Sequence, residues 1–319
     1  MQEVRTQNHK TIDTRHASNE QTGVFIKRNK KTEMKKNLIC TALMLALLSA
    51  CGPKESKNAD TAPADTLAVI MNTRHNIDSM ATSALNVEFP VANKKKVALV
   101  SSIREWISEE LGGTYGNGLQ GDYDKLLSDT AAVMDHYFAG IEKYNATNWH
   151  DIMDNLDGAE RPDMELYDSI AITKWQEGQQ WVTMQYVNSV YLGGAHGSYL
   201  IFGQTFRKSD GRRIGWEIIR KSDDPEDNIQ SLMRKGLVEY FGDGNPDFKE
   251  EELGDYLQGE ASAYYIPMPQ CPPLFTKEGV MFLYNQYEIA AYAAGLPQFV
   301  ISYKDLMPYL TETAKRLIK

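Results

Sequence analysis

The chain reads as an α+β protein, with antiparallel sheet hairpins packed against several helices. Two observations predict this. Alternating segments come in adjacent pairs with turn residues between them: 163–175 and 180–191 around Glu177-Gly178, and 274–276 and 280–284 around Lys277-Glu278-Gly279. Helical periodicity is confined to separate stretches and does not alternate one-for-one with strands, which argues against a doubly wound or barrel fold.

In chain order, Val87-Glu88-Phe89-Pro90-Val91 alternates as a strand. Val97, Val100, Ile103, Trp106, Ile107 and Leu111 recur at three- and four-residue spacing, a helix that Gly112-Gly113 is expected to stop. A second helix is predicted from about Asp122 to Tyr144, with Leu126, Ala131, Met134, Phe138 and Ile141 on one face. The first hairpin follows, then a strand over 199–206 that Ser209-Asp210-Gly211 turns into 213–218. Asp224-Pro225-Glu226-Asp227 opens a helix with a capping acid, proline at the first position and carboxylates in the first turn. Residues 267–273 form an irregular proline loop. The second hairpin, a strand at 299–301 and a helix starting in 303–310 complete the chain.

The 319 residues carry a formal charge of −9. Residues 1–50 hold 9 basic and 4 acidic residues, which leaves 25 and 39 in residues 51–319, a net −14. Such a body repels phosphate backbones and anionic lipid, so no nucleic-acid partner is expected, and it attracts cations. Three cysteines without a Cys-x-x-Cys spacing make neither a disulfide framework nor a usual zinc site.

Met34-Lys35-Lys36-Asn37 is a basic head before the apolar run Leu38–Leu48, which ends in Leu48-Ser49-Ala50-Cys51-Gly52. Basic head, short apolar run and small residues describe a secretory signal at 34–50. The run is too short for the ~20 residues of a spanning helix. Leu-Ser-Ala-Cys resembles a bacterial lipobox, which implies that Cys51 is acylated and becomes the mature N-terminus. The expected organisation is a non-native leader at 1–33, the signal at 34–50, a lipid-anchored tether at 51–83, an α+β subdomain at 84–168 and a further domain at 169–319. Membrane contact is then expected through the lipid alone. The expected place is the cell envelope, and Gly52 rather than Asp after the cysteine favours the outer over the inner membrane.

Several motifs fail on context. Gly116-Asn117-Gly118-Leu119-Gln120-Gly121 spells a dinucleotide fingerprint but follows a helix rather than a strand. Asp243-Gly244-Asn245-Pro246-Asp247 begins like a calcium loop, yet Phe248 and Gly254 stand where glycine and glutamate are required. His75, His136, His150 and His196 show no metal-ligand spacing, and no cofactor or metal is expected.

Two segments stand out. In Tyr191-Leu192-Gly193-Gly194-Ala195-His196-Gly197-Ser198-Tyr199, three glycines surround one histidine between strands, which implies unusual backbone angles or a close approach. His196 is either a ligand-contacting or catalytic group, or part of a bulged hairpin whose histidine bonds its own loop. The second segment runs from Phe275 through Tyr287-Glu288-Ile289-Ala290-Ala291-Tyr292-Ala293-Ala294-Gly295 to Tyr303-Lys304-Asp305-Leu306.

Together these segments resemble the RsiV-like extracellular domain family over about 169–310, here in a bacterial lipoprotein. Family members often carry proline before the second tyrosine of the late block, where this chain has Ala291. The resemblance implies an α+β envelope-binding module without established catalytic activity, one relative being a lysozyme-binding anti-sigma factor ectodomain. The candidate binding residues are Gly193, Gly194, His196, Gly197, Tyr287, Glu288, Tyr292 and Gly295. The leading reading is a non-enzymatic, lipid-anchored binding protein whose partner is an envelope or host protein, cationic and lysozyme-like, or peptidoglycan. The alternative is a glycan-modifying enzyme using His196 as acid or base.

Overall fold

The computed structural model describes residues 65–77, 81–115, 128–155, 166–220 and 229–318. The expected leader, the signal, Cys51, the glycine motif at 116–121 and the Asp224 cap lie outside the described residues.

The fold is α+β. Six strands form one sheet in sequential order: β1 Val69–Ile77, β2 Ala81–Pro90, β3 Leu166–Glu177, β4 Trp181–Tyr191, β5 Ser198–Arg207 and β6 Arg213–Ile214. All neighbours are antiparallel except β2 and β3, which run parallel. That parallel step needs a crossover, and α1 Val97–Tyr115 and α2 Thr130–Asn155 lie within it. Their apolar stripes cover one face of the sheet: Leu99, Ile103, Ile107, Met134 and Ile141 pack on Leu85, Val87, Ile170, Ile172 and Met184.

The remainder of the chain builds a second core. A turn at Trp216–Ile218 leads to α3 Gln230–Gly242. Then comes a three-stranded antiparallel sheet of β7 Leu274–Phe275, β8 Gly279–Leu283 and β9 Gln298–Ser302. Short helices α4 Tyr303–Leu306 and α5 Glu312–Leu317 end the chain, with Ser302 and Thr311 accepting bonds from Asp305 N–H and Ala314 N–H as N-caps. Buried hydroxyls join the two sheets. Thr205 Oγ1 donates to Pro273 O and accepts from Phe275 N–H, both at 3.0 Å, while Thr183 Oγ1 donates to Phe275 O at 2.9 Å.

Four expectations need correction. The tether does not extend to 83. Leu67 is buried in the first core, and residues 69–77 are β1, the outer strand of the sheet. Apolar alternation missed β1 because its inner face is held by polar bonds: Arg74 to Asp135 at 2.6 Å and Asn76 to Glu142 at 2.7 Å on α2. Gly112-Gly113 does not end α1, which continues to Tyr115. And α2 runs on past Tyr144 to Asn155, because Trp149 and Ile152 pack against Ala81, Leu166 and Tyr191. Its polar residues Thr147, Asn148 and Asn155 donate back to the carbonyls four residues earlier, which keeps them compatible with the helix. The division at 168/169 falls inside β3, and Thr61–Lys319 forms one compact unit.

Candidate functional site

The β4–β5 turn carries the glycine-rich segment. Gly193 and Gly194 stand at φ 95 and 96, a region that only glycine enters without strain. These two residues let the chain reverse while His196 stays exposed. A side chain at Gly197 would meet the Tyr167 hydroxyl at 2.9 Å and Val190 O at 3.1 Å, so glycine is required there for close approach.

The late block, 285–295, docks on this loop. On its open edge, β5 has among the described residues no strand partner beyond the short β6. Side chains supply the missing bonds. Asn285 accepts from Ile201 N–H and donates to Ile201 O, both at 3.0 Å, as a neighbouring strand would. Gln286 Oε1 accepts from Tyr199 N–H at 3.2 Å. Asn285 O then accepts from Glu288 N–H, closing a tight turn.

That turn places Tyr287 at φ 65 and 59 % exposed. A positive φ is ordinary for glycine or asparagine at the third position of a turn but strained for an aromatic residue. The Tyr287 ring leans on Tyr292 at 5.9 Å, and Tyr292 stacks on His196 at 3.8 Å with the planes 23° apart. Tyr292 Oη donates to Gly197 O at 2.8 Å, and His196 Nδ1–H donates to the same carbonyl at 3.0 Å. Both lone pairs of one glycine carbonyl are thereby used. The result is a three-ring shelf, His196–Tyr292–Tyr287.

The structure thus brings Gly193, Gly194, His196, Gly197, Tyr287 and Tyr292 together. Gly295, at φ 77, closes the short turn after Tyr292; a Cβ there would meet the Tyr240 hydroxyl at 3.1 Å. Glu288 faces inward, its two oxygens accepting from Asn285 N–H at 2.8 Å and Gln270 N–H at 2.7 Å, so it braces the turn. Ala291, where the resembled family often has proline, stands at φ −62 and ψ 157, the backbone that proline would impose. The role of Asn285 and Gln286 was missed in the sequence; a polar pair just after the apolar strand 280–284 was the only signal.

Among the described residues, the other histidines are His75 on β1, His150, exposed on α2, and His136, edge-on to Tyr137 at 5.1 Å. Among the described residues, no three His, Cys, Asp or Glu side chains gather as metal ligands, and no helix is long and apolar enough to cross a membrane.

Fold and shelf define a class: a mixed α+β protein in which a small second sheet buttresses a glycine loop of the main sheet. Residues 272–304, which carry the second hairpin, the late block and β9, match the family described as a protein of unknown function, DUF3298. In fold the chain is similar to a member of the DUF3298 family from Bacteroides fragilis, whose crystal structure superposes with a TM-score of 0.56 at 17 % identity over 79 % of this chain and 98 % of that one. A DUF3298 family protein from Pseudomonas aeruginosa superposes with a TM-score of 0.48 at 12 % identity over 78 % of this chain and 97 % of that one. No curated protein matches the chain.

Proposed function

We propose that the protein is a non-enzymatic, lipid-anchored binding protein of the cell envelope that recognises a cationic protein, lysozyme being the model partner, through the His196–Tyr292–Tyr287 shelf. The observation that carries this reading is Tyr287, an exposed aromatic residue held at φ 65. Such a conformation costs on the order of 1–3 kcal/mol, and strain of this kind concentrates at sites of use. Neighbouring tyrosine rings offer a contact area at low entropy cost, and their ring faces attract Lys and Arg. The net −14 of residues 51–319 favours the same class of partner by steering. Cys51 in its lipobox setting supports the anchor, and the sequence resemblance to a lysozyme-binding domain supports the ligand.

The test is calorimetric titration of the full chain with lysozyme. Tyr287→Ala and Tyr292→Ala should each weaken binding about tenfold, as expected of aromatic anchors. Absence of wild-type binding rules out lysozyme as ligand. Undiminished binding by folded tyrosine variants places the surface elsewhere.

One observation favours a second reading. With Nδ1 held on Gly197 O, His196 presents Nε2 as a base would, so a glycan-modifying activity would run through that atom. Turnover of peptidoglycan fragments that His196→Gln abolishes, at unchanged melting temperature, would establish it.

A further inference from the structure

A second cluster of charged groups lies at the other end of the same strands. Lys208 is 9 % exposed. Its Nζ stands 2.7 Å from Glu177 Oε1 and donates to Asp65 O at 3.1 Å. Lys174 Nζ stands 3.1 Å from Glu177 Oε2 and donates to Leu67 O at 2.8 Å. Lys96 pairs with Asp65 Oδ1 at 2.7 Å, and Glu177 Oε1 also accepts from Leu67 N–H at 2.8 Å. Three lysines, one just before α1, one from β3 and one just past β5, thus converge on three residues, Asp65 to Leu67. Leu67 itself is buried in the first core. Asp65 is exposed, but the Lys208 and Glu177 charges are drawn from water and are stable only when bonded, and the peptide groups of Asp65 and Leu67 complete the set.

The position of this clamp relative to the shelf is set by strand direction. Glu177 ends β3, Gly178 opens the turn into β4, and Lys208 follows the last residue of β5. The His196 loop joins the opposite ends of β4 and β5. At about 3.3 Å per residue, the eleven residues of β4 hold the two sites about 30 Å apart. From the anchor and shelf assigned under the proposed function, on which this step rests, we infer that the clamp fixes the exit of the N-terminal chain at the end of the sheet remote from the shelf, so that an anchored copy presents the shelf away from its own membrane. Cys51 precedes Asp65 by 14 residues, at most about 50 Å of chain at full extension. The connection to the anchor therefore starts from the clamp end of the body and not from the shelf end. The partner then approaches from the compartment or from a facing surface, and the lipid surface that carries the anchor is not what the shelf reads.

The experiment uses the full chain, made in a bacterium that processes lipoproteins, purified from membranes and reconstituted into vesicles with acceptor-labelled headgroups. A donor dye is placed at the clamp end through Gln179→Cys, or at the shelf end through Ala195→Cys or, independently, Ala293→Cys; all three positions are exposed. Cys271 is buried and stays unlabelled in the folded protein. Energy transfer from 179 should exceed that from 195 and 293 about twofold or more, given the ~30 Å offset along the strands. Equal or reversed transfer in a chain that floats with the vesicles overturns this inference and leaves the anchor standing. A chain that does not float overturns the anchor, and this inference with it.

Discussion

Tyr292 donates to Gly197 O at 2.8 Å while its ring stacks on His196 at 3.8 Å, so one side chain ties two segments 95 residues apart by an edge bond and a face contact at once. These two contributions separate by mutation. Tyr292→Phe removes the bond and leaves the stack, and should cost about 1 kcal/mol in denaturant unfolding, the usual net value of one hydrogen bond. Tyr292→Ala removes both and should cost roughly 2–3 kcal/mol. Equal losses for the two variants would show that the stack contributes nothing.

Tyr287→Gly should move stability and binding in opposite directions. Glycine adopts φ 65 without strain, so the variant should gain up to about 1 kcal/mol against urea. Removing the ring from the shelf should weaken lysozyme binding about tenfold. A destabilised variant would mean that the Tyr287 ring holds the turn rather than being held by it.

Asn285→Ala strips two bonds from the open edge of β5. Ile201 N–H and Ile201 O then lose their partner, at a cost of roughly 2 kcal/mol. Faster amide exchange should be confined to the upper half of β5 and the 285–288 turn. Uniform change across the sheet would place the effect elsewhere.

The clamp predicts an acid response of definite sign. Burial alone would raise the Glu177 carboxyl, but bonds from Lys208, Leu67 N–H and Lys174 outweigh it and hold the carboxyl below its usual range. The hydrogen bond from Lys96 does the same for Asp65. Groups with depressed native values contribute stability that is present above their unfolded pKa, about 4, and that is lost as pH falls through the native value. Wild-type stability should therefore decline below about pH 4, and Glu177→Gln should flatten part of that decline. Lys208→Ala, which leaves Glu177 with fewer partners, should cost roughly 2 kcal/mol at neutral pH. An unchanged acid slope in Glu177→Gln would remove Glu177 from the response.

Cys271 is fully buried, and burial pushes its thiol up to about 12. Maleimide should leave it unmodified in the native state and react only at the rate of unfolding. Labelling within minutes under native conditions would show that the loop at 267–273 opens independently of the core.

The hairpins, the two long helices and the α+β class were legible in the sequence because each rests on local periodicity: alternation in 180–191, three- and four-residue spacing in Val97–Leu111. The glycine loop was legible as well, since three glycines around one histidine mark a backbone that other residues resist. The remaining features depend on what lies across the fold. β1 escaped because an outer strand can be held by Arg74 and Asn76 bonding to a helix, which leaves no apolar pattern. The inward turn of Glu288, the pairing of Asn285 with β5 and the left-handed Tyr287 arise only when the second sheet docks on the first. Lys174 is only three residues from Glu177 on the same strand, but Lys208 lies 31 residues away and meets it through strand register. By itself the sequence determined which segments could form elements and which loop was unusual. The partners of those loops were decided by tertiary packing, because a hydrogen bond or ring contact has no sequence signature when its two halves are brought together by the burial of other residues.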